Sequence, residues 1–137
     1  MGIIFYLPEI IEENKGIQIM IQALSRKTRI TVFKDIEEFF FTLQRPAKSP
    51  FIATVIPGTK HELMEIAKMK RILFGIPTML ILPDREEKTI ALGYSFYPRH
   101  LTYMDCPMTE ILAVLEKMLD RYLRDKEING ELQRIWN

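Results

Sequence analysis

Short apolar runs alternate with segments of helical periodicity along this chain, and the cycle recurs about five times. Ile3-Ile4-Phe5-Tyr6-Leu7 is a continuous apolar run ending at Pro8, the pattern of a strand covered on both faces. Between Asn14 and Ser25, Ile17, Met20, Ile21 and Leu24 recur at the spacing of one helix face. Ile19 falls off that stripe. Arg29 to Phe33 reads as a second strand. Asp35 then opens a helix, with Glu38 placed to complete a capping box and Ile36, Phe39, Phe40 and Leu43 facing inward. Phe41 points elsewhere, and Pro46 cannot donate the next helical bond.

The second half repeats the theme. Phe51 to Ile56 is a third strand, closed by Pro57-Gly58. Thr59 and Glu62 form another capping box, opening a helix through about Leu73 whose inner face holds Leu63, Ile66 and Ala67. Gly75-Ile76-Pro77 turns into a fourth strand, Thr78 to Leu82. Arg85 to Gly93 is a weaker helical segment, and Leu101 to Met104 a short fifth strand. Pro107 suits the first turn of a last helix with the stripe Ile111, Leu112, Leu115, Met118, Leu119 and Tyr122. Strands alternating with helices predict an α/β fold: a doubly wound, five-stranded parallel sheet of flavodoxin-like order 2-1-3-4-5, with helices on both faces. Any site on such a sheet is expected at the carboxyl ends of its strands.

Composition narrows the class. A chain of 137 residues suits one domain, expected over residues 1–124, with residues 125–137 as a charged C-terminal extension. Ile128, Leu132, Ile135 and Trp136 keep near-helical spacing in that extension, which is expected to pack rather than dangle. The net charge of +1 gives no electrostatic footprint for nucleic acid or an anionic membrane. No apolar run reaches the roughly 18 residues of a membrane span, and the start lacks the features of a signal peptide. One cysteine forbids an intrachain disulfide and fits a reducing cytoplasm, the expected location.

Three local signatures add a resemblance. Val32-Phe33 followed by Asp35, Glu37-Glu38 and Leu43, then Ile56-Pro57-Gly58, then Gly75-Ile76-Pro77-Thr78-Met79-Leu80-Ile81, resemble in order and spacing the receiver domain of bacterial response regulators, over residues 3 to 123. The chemistry that this resemblance implies is missing. A receiver's acidic pair after the first strand is matched by Leu7-Pro8, with only Glu9 beyond. Its phosphorylated aspartate corresponds to Ala53, the hydroxyl residue of its fourth strand to Leu82, and its lysine to Cys106 before Pro107. Only the aromatic switch position is kept, at Tyr103. Phosphoryl transfer rests on charge positioned around a metal, so the chain resembles a degenerate receiver with the phosphorylation site gone.

Two functions then compete. The first is a phosphorylation-independent signalling module that binds a protein partner or a second copy through the face of its fourth helix, fifth strand and fifth helix. Tyr94, Phe96, Tyr97 and Tyr103 would supply the contact area of that face. The second is a small ligand binder, metal binder or enzyme using Glu9, Asp84, Asp105 and Cys106, all of which follow strand ends. Cys106 also stands at a helix N-terminus, where a thiol can be activated, although Asp105 beside it acts the other way. His61 and His100 have no cysteine or histidine at ligand spacing and are expected on the surface. The apolar and acidic loop Leu7 to Glu13 repels phosphate, so neither a nucleotide nor a flavin is expected there. No catalytic residue, metal or cofactor is assigned.

Overall fold

The computed structural model describes residues 2–45 and 50–121. Pro46, Tyr122 and the extension carrying Ile128, Leu132, Ile135 and Trp136 lie outside these residues. The elements run β1 (Gly2–Tyr6), α1 (Glu9–Glu12), α2 (Lys15–Ser25), β2 (Arg29–Phe33), α3 (Ile36–Gln44), β3 (Phe51–Val55), α4 (Lys60–Ala67), a 3₁₀ turn (Lys70–Leu73), β4 (Thr78–Leu82), α5 (Glu87–Tyr94) and β5 (His100–Tyr103). A last helix, α6, covers residues 108–121. The strands form one five-stranded sheet of order β2-β1-β3-β4-β5, parallel throughout, which is the flavodoxin-like arrangement.

Alternation along the central strands sends side chains to two separate cores. Ile3, Phe5, Ile52, Ile56, Met79 and Ile81 meet Ile17, Met20 and Leu24 of α2 and Ile111, Leu115 and Leu119 of α6. Tyr6, Val55, Leu80 and Leu82 meet Phe39, Phe40 and Leu43 of α3 and Leu63 and Ile66 of α4. Each of these large side chains contributes about 1.5–3 kcal/mol by leaving water. β4 is buried at every position, as a strand flanked on both sides and covered on both faces requires. β2 is an edge strand, and Arg29, Thr31 and Val32 stay exposed.

The helix starts follow their side chains. Asn14 accepts from the Ile17 N–H, Asp35 from the Glu37 N–H and Thr59 from the Glu62 N–H, each satisfying a donor the helix leaves open. The helix expected through Leu73 is broken: α4 ends at Ala67 and a 3₁₀ turn follows. α1 is an extra element, too short at four residues to leave a periodic signal. No helix among the described residues is long and apolar enough to cross a membrane.

Candidate functional site

The order of the sheet reverses between β1 and β3, and open α/β sheets place ligands in the crevice beyond such a point. Here the loops that follow β1 and β3 pack against each other. Past the strand ends the ladder runs on: the Leu7 N–H donates to the Phe33 carbonyl at 2.8 Å and the Ile56 N–H to the Tyr6 carbonyl at 3.1 Å. Leu7, Pro8, Ile11 and Pro57 are all buried. Ile10 and Pro8 press against Gly58 so closely that a Cβ there would stand 2.5 Å from Ile10 Cγ2 and 3.5 Å from Pro8 Cγ. The Gly58 N–H is taken by Glu62 Oε1 at 3.3 Å. The same Glu62 also reaches the phenol of Tyr6, which belongs to the core on the other face of the sheet with Phe39. Burial pushes its pKa well above the ordinary tyrosine range, and a hydrogen bond to the Glu62 carboxylate and the charges of Glu62 and Asp35 push the same way.

Ala53 lies below this edge. It is fully buried in the middle of β3, flanked by Ile4 and Thr78, in the core with Tyr6, Phe39 and Leu80. Whatever side chain stood at this position would point into packed apolar atoms rather than into a crevice.

The β4–β5 end is organised by Arg85, which the sequence reading passed over. Its guanidinium forks onto Asp105, with Nε 2.9 Å from Oδ2 and Nη2 2.9 Å from Oδ1. Nη2 also stands 3.6 Å from Cys106 Sγ, and Cζ lies 4.0 Å above the Tyr103 ring. The hydrogen bond from Arg85 holds the Asp105 carboxyl below the usual range, with the guanidinium charge adding to it. A salt bridge between residues 20 positions apart leaves no periodic trace, and only the charge pattern around Asp84 and Asp105 hinted at it.

The four edge candidates therefore do not converge. Asp105 and Cys106 are joined through Arg85, whereas Asp84 turns away to accept from the Glu86 N–H at 2.9 Å. Glu9 belongs to α1, beyond β1, three strands away from β5 and hence about 14 Å across the sheet. Among the described residues no three His, Cys, Asp or Glu side chains are grouped to hold a metal ion. His61 is exposed on α4, and His100 is the half-buried first residue of β5.

The aromatic quartet also divides, and one member is corrected. Phe96 is 1% exposed and belongs to the core beneath α5, so it offers no contact surface. Tyr103 is half-buried under Arg85 at the carboxyl end of β5. Tyr94 and Tyr97 remain outside, 61% and 80% exposed, beyond the opposite end of the same strand. The backbone explains the split: Tyr97 takes a left-handed φ of 51°, which turns its ring outward directly after Phe96 has turned in. Tyr97 there meets Phe74, itself 43% exposed, edge to face at a centroid distance of 5.5 Å. Phe74 gave no signal because it follows the last residue of a helical pattern. Between α4 and α5 an apolar groove of about 420 Å³ is lined by Met64 and Leu92 and flanked by Lys60 and Lys88.

Set against family models, curated protein sequences and solved structures, the chain finds no match in any of the three.

Proposed function

We propose that this protein is a phosphorylation-independent interaction module of the receiver type, binding a protein partner or a second copy of itself through the surface around Tyr94, Tyr97 and Phe74. One observation carries the reading: Tyr97 is held in a left-handed backbone while presenting four-fifths of its surface to solvent. That conformation costs about 1–2 kcal/mol for a residue with a Cβ. Burial of Tyr97 does not offset this cost, so presentation of the ring is the feature to explain. The ring is also ordered against Phe74, and a pre-positioned aromatic loses little entropy on contact. The packed loops beyond β1 and β3 and the buried position of Ala53 fit a reading without phosphoryl-transfer chemistry. A ligand site at the carboxyl edge has less support, since Glu9, Asp84 and Asp105 each face a different neighbourhood.

Light scattering on the full chain at micromolar concentration tests the contact. The expected result is a dimer that Tyr97→Asp dissociates with no change in far-UV circular dichroism. A strictly monomeric wild type would move the surface to a different protein. Treatment with acetyl phosphate and magnesium should add no phosphoryl mass, and a stable adduct would overturn the phosphorylation-independent reading.

A further inference from the structure

At the amino ends of β4 and β5, opposite the loops that carry Arg85 and Asp105, the sheet and α6 border a half-open cavity of about 210 Å³. Its lining combines apolar Pro77 and Met118 with four basic side chains, Arg99, His100, Lys117 and Arg121. They arrive from three places in the fold. Pro77 precedes β4, Arg99 precedes β5, and Lys117 and Arg121 stand four apart on α6 and therefore on one face. The Arg99 N–H donates to the Thr78 carbonyl at 2.8 Å, which fixes the backbone of Arg99 against the first residue of β4.

The charge balance of this hollow is unusual for the molecule. Ion pairs among the described residues include Lys27–Glu116, Lys60–Glu86, Lys68–Glu65 and Arg85–Asp105, and none of these involves the four basic residues of the cavity. Among the described residues no carboxylate lines the cavity; Glu116 of α6 is engaged by Lys27, and Asp120 is not part of the lining. Lys117 and Arg121, like charges one turn apart, repel, and no described lining residue offsets them. A multivalent anion would. Two guanidinium groups present forked donors that match phosphoryl oxygens, and Lys117 adds a point charge. The volume is below the roughly 300–1,000 Å³ of pockets for drug-sized ligands, so the occupant is compact. We propose that this cavity binds a compact phosphorylated small molecule, with Arg99, Lys117 and Arg121 as the phosphoryl ligands. The cavity lies at the same amino edge of the sheet as the Tyr97 surface, which joins it through Pro98, but it is argued from its own lining and does not depend on that reading.

Inorganic pyrophosphate is the probe. Titrated into the isotope-labelled full chain at low salt, it should saturate with a Kd at or below about 1 mM. The shifted amides should be those of Arg99, His100, Lys117 and Arg121. The double variant Lys117→Gln with Arg121→Gln should weaken binding by about tenfold or more, while Lys68→Gln, which removes a charge on another face, should change it less than about twofold. Arg99→Ala offers a second, independent loss from outside α6. The proposal is overturned if pyrophosphate does not saturate by about 10 mM, if the shifts map elsewhere, or if Lys68→Gln weakens binding as much as the double variant. It is equally overturned if a single-stranded oligonucleotide binds these residues more tightly than pyrophosphate, because the patch would then be a surface for a polymer.

Discussion

The two ends of the sheet are built on opposite principles. At the carboxyl end the described polar groups find partners and the loops pack together: Arg85 takes Asp105, Glu62 takes the Gly58 N–H and the Tyr6 phenol, Asp84 takes the Glu86 N–H, and Pro8, Ile10 and Ile11 close over Gly58. At the amino end, four basic side chains surround a cavity with no acidic partner among the described residues. The same fold usually leaves its carboxyl end open for a ligand. What the contrast teaches is that a parallel sheet defines where a crevice can form, while the loop residues decide whether it does.

The most damaging challenge to this contrast is Ala53→Asp. If position 53 opened onto the carboxyl edge, a carboxylate would be tolerated. Deep in the core it is unpaired and overpacked, and the expected loss is about 5 kcal/mol, a large share of a domain's stability. Urea unfolding followed by circular dichroism would show it, and a variant as stable as the wild type would mean that the edge reaches further down than described. Phe96→Ala comes next, at about 3–4 kcal/mol, by the same measurement. Tyr97→Ala, one residue along, should change stability by less than about 0.5 kcal/mol.

Those neighbouring residues mark how far the fold and the site were legible. The inner strands β1, β3 and β4 announced themselves as largely apolar runs, because a strand covered on both faces has no polar alternation to confuse. Asn14, Asp35 and Thr59 announced the helix starts, because capping is a local matter of one side chain and one N–H. Phe96 and Tyr97 looked alike, since only a backbone angle separates the buried ring from the exposed one. Arg85 and the cationic cavity were illegible for a related reason: their partners are assembled by the sheet and not by spacing along the chain.

A further expectation concerns pH. Tyr6 is held neutral in the folded chain above the range of an unfolded tyrosine. Its contribution is thus complete below about pH 10, where the unfolded chain is also protonated, and is lost as pH rises beyond that. Tyr6→Phe should cost about 1 kcal/mol near neutrality and show a shallower alkaline decline than the wild type. An identical alkaline slope in both proteins would place the phenol outside the core it shares with Phe39. The smallest effects probe matched against unmatched charge directly. Asp105→Asn should destabilise slightly near neutral pH. Because the folded carboxyl is held low, that difference is present above about pH 4 and disappears as acid protonates Asp105. Lys117→Gln should do the reverse at neutral pH, stabilising by a few tenths of a kcal/mol in low salt as repulsion from Arg121 is relieved. Equal signs for the two variants in denaturant titrations would erase the contrast between the ends.

The division of the apolar interior into two cores has a further consequence, for anyone who would re-engineer the chain. The sheet acts as a partition wall: Ile3, Ile52 and Met79 belong to one core and Tyr6, Val55 and Leu80 to the other, although they alternate along the same strands. Substitutions on opposite sides of the wall that are also well separated share no partner and are expected to combine nearly additively, whereas those on one side must be chosen together. The molecule is therefore modular across its thickness rather than along its length, and the α2–α6 side can be redesigned as a unit while the side that carries α3, α4 and α5 is left as it stands.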